Sequence, residues 1–185
     1  MNDLLNDLEK ILFTEDDLKK RVRELGESIS EDFKEDSSPI LLVGILKGAS
    51  FFLADLAREI NLPTEIDFMS VSSYGRGKVK STGVVKILKD LDEDIEGKNV
   101  IIVEDLIDSG LTLSYLRDMM VRRGAKRVKI ATLLNKKAKR KKEVNIDYEG
   151  FEVPDDFIVG YGIDYSEKYR NLKVVGYLKK EIYSK

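Results

Sequence analysis

Apolar positions along the chain follow two rhythms. From Thr14 to Phe33 they recur every three or four residues, at Leu18, Val22, Leu25, Ile29 and Phe33. That spacing places one apolar stripe along a helix. Thr14 offers an N-cap oxygen, and Glu15, Asp16 and Asp17 follow where the positive end of a helix favours acids. The charged face of this helix reads as solvated surface. Residues 2–10 predict a further short helix, with Ile11-Leu12-Phe13 as an apolar connector. The second rhythm is a series of short apolar runs at residues 39–46, 100–103 and 127–134, of the kind buried on both faces of a sheet.

Between these runs lie helical patterns. Phe52, Leu56 and Ile60 form one stripe, which Asn61-Leu62-Pro63 ends; Leu113, Leu116 and Met120 form another, ending near Arg123-Gly124. Residues 65–72 read as a third strand and 84–88 as its returning partner. Residues 91–98 read as a polar turn and 149–154 as a loop. Residues 157–164 read as an apolar segment broken by glycines, and 174–177 as a last strand. Strands alternating with helices predict an α/β fold: a mostly parallel sheet flanked by helices, with the chain ends forming something smaller beside it. At 185 residues without a composition break, 1–185 reads as a single domain.

Composition narrows the chemistry. The chain is 42% apolar and 36% charged with a net charge of −2, which gives no global attraction to nucleic acid or membrane. It has no cysteine and no histidine, so thiolate chemistry, Ser-His-Asp catalysis and histidine-bound metals are excluded. Proton transfer falls to Asp, Glu, Lys or Tyr, and a metal would sit among oxygens, Mg²⁺ before a softer ion. The acidic start lacks a signal-peptide core and no run approaches a bilayer span, so a cytoplasmic protein is expected.

Residues 99–116 concentrate the candidate chemistry. A buried strand meets Glu104-Asp105, then Asp108-Ser109-Gly110-Leu111-Thr112, then a helix. Turns at the carboxyl ends of parallel strands are where α/β proteins bind ligands. Backbone N–H groups at a helix start beside a glycine suit a phosphate, and nearby acids suit a metal or sugar hydroxyls. Lys47-Gly48 ends the 39–46 strand in a second anion-site pattern. Residues 72–83 are glycine-rich and basic, either an exposed hairpin or a lid over an anionic ligand with Tyr74 as its apolar handle. Six positive charges in the seven residues from Lys136 to Lys142 read as a solvated loop, apart from Lys136 at the strand end.

Glu104-Asp105, Asp108-Ser109-Gly110 and Thr112 after the strand resemble the phosphoribosyl-diphosphate signature of type I phosphoribosyltransferases. Leu46-Lys47-Gly48, Ser73-Tyr74, Lys136, Phe157-Ile158, Asp164 and Arg170 extend the resemblance to the bacterial hypoxanthine (hypoxanthine-guanine) phosphoribosyltransferase family, from about residue 14 to 180. The resemblance implies a sheet with a small hood from the N-terminal and C-terminal segments. It implies a reaction between a purine base and 5-phosphoribosyl 1-diphosphate that gives a nucleoside 5′-monophosphate (IMP or GMP) and diphosphate, with Mg²⁺, through an oxocarbenium-like transition state.

By the same resemblance Lys47, Gly48 and Arg170 contact diphosphate, and the Leu46–Lys47 peptide is often cis in the family. Glu104 and Asp105 hold ribose hydroxyls and Mg²⁺. Adjacent strand residues point to opposite sides, so both reach one ligand only where the strand has ended. Asp108 to Thr112 cradle the 5′-phosphate; Leu111 stands where some relatives carry lysine, which leaves backbone and hydroxyls to do this. Asp108 is the proton acceptor, the alternative being that it only caps the next helix. Phe157 stacks on the purine, Ile158 offers its backbone, Lys136 donates to a 6-oxo group, and Asp164 helps position a second Mg²⁺. Ser73-Tyr74 close as a lid. The family implies a homodimer or homotetramer. Two alternatives stand beside this reading: a nucleotide-sensing RNA-binding regulator of the same fold, and an enzyme preferring xanthine.

Overall fold

A computed structural model describes residues 2–73 and 85–184. The helix led by Thr14 becomes α2 (Glu15–Phe33), following α1 (Asn2–Asn6) and β1 (Leu8–Phe13). Its start is a capping box: Thr14 Oγ1 accepts from the Asp17 amide at 3.2 Å, and the Thr14 amide donates back to Asp17 Oδ2 at 2.9 Å. Leu18, Val22, Leu25, Ile29 and Phe33 are all buried, each stabilising the fold by about 1.5–3 kcal/mol relative to exposure. The expected charged face is only partly plain surface. Arg21 donates to the carbonyls of Gly150 at 2.9 Å and Glu149 at 2.7 Å, covering the edge of the main sheet.

The main sheet contains β2 (Ile40–Leu46), β3 (Thr64–Ser73), β4 (Val85–Lys89), β5 (Asn99–Ile107), β6 (Arg127–Asn135) and β7 (Tyr148–Glu152), in the order β4-β3-β2-β5-β6-β7. All neighbours are parallel except the edge pair β3/β4. Alternate residues of the central strands face opposite layers. Leu42, Ile101 and Val103 pack with α2 and α3 (Ser50–Glu59); Leu41, Val43 and Ile102 pack with α4 (Leu111–Arg122). This two-sided burial is why those strands read as unbroken apolar runs.

A second sheet, β1-β9-β8, joins the chain ends, with β8 at Ile158–Val159 and β9 at Val175–Leu178. Here the structure departs from two expectations. The N-terminal helix stops at Asn6, and residues 8–13 form a strand antiparallel to β9, with Leu8 opposite Leu178 and Phe13 opposite Val175. Residues 149–152 belong to β7 rather than a loop. β7 is an edge strand that buries Tyr148, and its Gly150 passes so close to the Leu133 carbonyl that a Cβ would collide. Residues 149–152 have no apolar run and residues 8–13 only the three residues Ile11-Leu12-Phe13, because an edge strand and a small hood sheet bury little on their outer faces. Among the described residues no helix is long and apolar enough to cross a membrane.

Candidate active site

The sheet order reverses at β2, which has β3 on one side and β5 on the other, and such switch points open a crevice at the strands' carboxyl ends. The last paired residues of β2 and β5 are Gly44 and Val103. Beyond them Lys47-Gly48 leaves one strand while Glu104-Asp105 continues the other. The Leu46–Lys47 peptide is cis. Gly48 is wedged on two sides: a Cβ there would overlap the Asp105 carboxylate, and a Cβ on Gly162 would overlap the Gly48 carbonyl. Gly162 has φ +101°, so glycine serves both conformation and contact there. Lys47 Nζ meets Glu167 Oε2 at 3.1 Å. Arg170 donates to the Gly162 carbonyl at 2.7 Å and pairs with Asp164 Oδ1 at 2.7 Å, while its Nε is buried without a partner. Lys47, Glu167 and Arg170 line one cleft of about 310 Å³ with Leu46 and Ser70.

β5 does not end before its carboxylates, as expected for both to reach one ligand. It stays paired with β6 through Ile107 opposite Asn135. Glu104 and Asp105 consequently face different sides. Asp105 lies against Gly48, whereas Glu104 lines the pocket of the following turn. Burial, with the neighbouring Asp105 charge, raises the Glu104 carboxyl well above its ordinary value, and one of its oxygens is buried without a partner. Burial also raises Asp105, to about 6, against the opposing pull of the Leu106 amide and Arg170. Glu104, whose buried oxygen has no partner, and Asp105, whose charge Arg170 only partly offsets, are each oxygen donors of the kind a hard divalent cation takes while keeping its waters, one on either side of the strand. Asp164, held by Arg170, does not complete a set of three: among the described residues no three such ligands converge.

Past Ile107 the chain turns through Asp108, Ser109 and Gly110 into α4. Gly110 is the N-cap at φ +78°, and no side chain caps the helix, so Asp108 is not a helix cap. One Asp108 carboxylate oxygen is buried without a partner. The turn encloses a pocket of about 130 Å³ lined by Glu104, Asp108, Ser109, Gly110 and Thr112. Only a weak 3.4 Å contact with Ser109 Oγ engages the Leu111 amide, and the first N–H groups of a helix have no partner within it. The pocket therefore presents donors and positive dipole to an anion.

The basic run is not simply a solvated loop. The amides of Lys141 and Lys142 donate to the Ser109 carbonyl at 3.0 and 3.1 Å, and the Lys142 carbonyl lies where a Gly110 Cβ would be. Part of its charge is paired: Lys137 meets Glu152 at 2.6 Å and Lys139 meets Asp155 at 2.8 Å, while Arg140 donates to the neutral Asn135 amide oxygen. The segment acts as a backbone clasp over the turn.

Asp108 also faces a cleft of about 450 Å³ lined by Leu106, Lys136, Phe157, Ile158 and Asp164. Lys136 is held at the cleft by the Asp156 carbonyl, 2.9 Å from Nζ, with Asp155 at 3.8 Å. Phe157 is 37% exposed, an apolar surface open to the cleft. The structure distributes the expected residues over three clefts, two of which share Leu106 and Asp108. Ser73 ends β3, its backbone opposite Val85; Tyr74 and the expected lid lie outside the described residues. Sequence reasoning missed Leu106, Ile163 and Tyr183, which line the same cleft. Leu106 could have been found by strand alternation, two positions before Asp108; nothing local marks Tyr183.

An anion-binding helix start, a cationic loop and buried acids thus meet at a sheet switch point, beside a cleft with an aromatic wall. The chain belongs to the phosphoribosyltransferase family, matching the phosphoribosyl transferase domain over residues 11–166. It is 51% identical over 178 residues to the hypoxanthine-guanine phosphoribosyltransferase of Bacillus subtilis, covering 96% of this chain and 97% of that protein. It is 52% identical over 179 residues to the bifunctional protein TilS/HprT of Listeria monocytogenes, covering 97% of this chain; it spans 27% of that protein's length. A hypoxanthine phosphoribosyltransferase structure from Staphylococcus aureus superposes with TM-score 0.93 at 43% identity, covering 98% of this chain and 97% of the other.

Proposed function

We propose that the chain transfers the 5-phosphoribosyl group of 5-phosphoribosyl 1-diphosphate to hypoxanthine or guanine, releasing diphosphate and forming the nucleoside 5′-monophosphate. The observation that carries this reading is Asp108: a carboxylate with an unpartnered buried oxygen between an anion pocket and an aromatic cleft, in a chain without histidine. A bond forms between a purine ring nitrogen and the anomeric carbon as the bond from that carbon to diphosphate breaks. The purine's ring proton passes to Asp108, a role typically worth about 10²–10⁴ in rate.

The 5′-phosphate lies on the turn from Asp108 to Thr112, including the Ser109 and Thr112 hydroxyls and the Gly110 and Leu111 backbone. Lys47, Gly48 and Arg170 hold diphosphate. Lys136 donates to the 6-oxo group, Phe157 stacks on the base, and Ile158 supplies backbone at its edge. Glu104 and Asp105 would hold Mg²⁺ and the ribose hydroxyls, with Asp164 near a second ion; bound there, Mg²⁺ neutralises charge on the leaving group. The phosphoribosyl substrate and the nucleotide product are highly charged phosphate esters, so the reading includes a cytoplasmic location. It takes residues 1–185 as one domain with its hood, in a homodimer or homotetramer.

Initial rates with phosphoribosyl diphosphate, Mg²⁺ and hypoxanthine, guanine, xanthine or adenine test the proposal and rank the bases. Turnover of the first two is expected, and no turnover of any 6-oxopurine overturns it. Asp108→Asn should lower kcat by about 10²–10⁴ while phosphoribosyl-diphosphate binding persists. Normal turnover in that variant would remove Asp108 from proton transfer.

A further inference from the structure

Phe157 presents a large exposed ring from the edge of a two-residue strand, and an unsupported ring in that position loses rotamer freedom when a ligand stacks on it. Two aromatic neighbours hold it. Tyr165 meets it edge-on, with centroids 5.3 Å apart and planes at 89°. Tyr183 lies on its face, with centroids 4.6 Å apart and planes at 19°. Tyr183 belongs to α5 (Lys180–Tyr183), which three contacts seat on the hood. The Leu178 amide donates to the Phe157 carbonyl at 2.9 Å, and the Lys179 amide donates to the Asp7 carbonyl at 3.0 Å. Asp7 is itself fixed by the Tyr169 hydroxyl at 2.8 Å, and Ile182 and Tyr183 pack on the hood cluster around Leu8, Tyr169 and Leu178.

We propose that Tyr183 is a positioning residue for the base: it backs one face of Phe157 and presents the other face to the purine. The proposal rests on the purine reading of the cleft and goes beyond it by giving residues near both chain ends a part in base affinity. Tyr183 and Phe157 both line the cleft, and about 450 Å³ of it is open while the two rings are stacked, which leaves room for a base beside the pair. Aromatic pairs contribute beyond the area they bury, enough to change an affinity by about 3- to 10-fold.

The test compares the full chain with Tyr183→Ala and Tyr183→Phe in steady-state assays with hypoxanthine and with guanine, alongside thermal melts. Tyr183→Ala is expected to raise KM for the base by about 3- to 10-fold, leaving kcat and KM for phosphoribosyl diphosphate within about twofold, and Tyr183→Phe to restore the wild-type KM. An unchanged base KM in Tyr183→Ala overturns the proposal. So does a lowered one, which would make the ring a competitor of the base. Equal increases for both substrates, or a Phe variant as impaired as Ala, also overturn it. Absence of purine turnover in the wild-type chain would instead defeat the functional reading on which the proposal stands.

Discussion

Asp105 rests against Gly48 so tightly that a Cβ on residue 48 would overlap its carboxylate. Gly48 is not among the glycines with positive φ, so contact alone demands glycine there. Gly48→Ala should push Asp105 out of place while leaving the sheet intact. Overpacking of this kind costs about 1–3 kcal/mol. Expressed at the site, that is a loss of about 10- to 100-fold in kcat/KM for phosphoribosyl diphosphate, with a melting temperature only a few degrees lower. Steady-state kinetics with a thermal melt checks this; an unchanged KM for phosphoribosyl diphosphate would show that Asp105 can move without consequence.

Glu167 stands between two cations proposed to hold diphosphate, 3.1 Å from Lys47 and 3.5 Å from Arg170. It is an internal counter-ion that an incoming anion must displace. Exposed ion pairs contribute at most about 1 kcal/mol, so the competition is modest. Glu167→Gln should lower KM for phosphoribosyl diphosphate by about twofold to fivefold and strengthen inhibition by product diphosphate. A raised KM would mean that Glu167 orients Lys47 and Arg170 rather than competing for them.

The layers of the fold were legible because burial on both faces writes itself into sequence. Ile40–Leu46 and the start of β5 have no polar residue apart from Asn99 until the site begins. β1 and β7 were not legible, because a hood strand and an edge strand need few apolar residues and take their pairing from distant partners. The site divides the same way. Lys47 and Asp108 follow strand ends, and Glu104 and Asp105 follow the apolar part of β5, where a polar residue after an apolar run is conspicuous. The lining by Tyr183 and the clasp of Lys141 and Lys142 over Ser109 depend on chain segments brought together only by folding. The continuation of β5 past Asp105 was hidden for a simpler reason: two carboxylates in a row look like the end of a strand.

Asp36 lies at the opposite end of the strands from the site and offers a separate test of stability. Its Oδ1 accepts from Lys126 Nζ at 2.8 Å and from the Ser38 amide at 2.9 Å, and Arg127 lies 3.2 Å from Oδ2. The Lys126 and Ser38 hydrogen bonds hold its carboxyl well below the usual carboxylate range. A depressed native value means that the stabilisation is present above the unfolded value of about 4 and is lost as pH falls toward the native one. Asp36→Asn should therefore lower the melting temperature at pH 7 and flatten its decline between about pH 4 and 2, with kcat unchanged. Parallel melting curves for the two proteins across that range would exclude Asp36 from the acid response.

Lys136 is held at the mouth of the base cleft by one carbonyl, that of Asp156, and is only 11% exposed. A lysine placed there can donate to a 6-oxo oxygen but gains nothing from a 6-amino group, so its contribution should separate the two kinds of purine. Lys136→Met keeps most of the apolar stem and removes the charge and the donor. A hydrogen bond involving a charged group is worth about 1.5–3 kcal/mol, which predicts a rise of about 10- to 100-fold in KM for hypoxanthine. KM for phosphoribosyl diphosphate should stay within about twofold, because Lys136 lines the base cleft and not the cleft of Lys47 and Arg170. Any trace activity with adenine should not fall. Measured with both bases in one series, a uniform loss across hypoxanthine and adenine would assign Lys136 to the architecture of the β6 end instead of to recognition of the 6-oxo group.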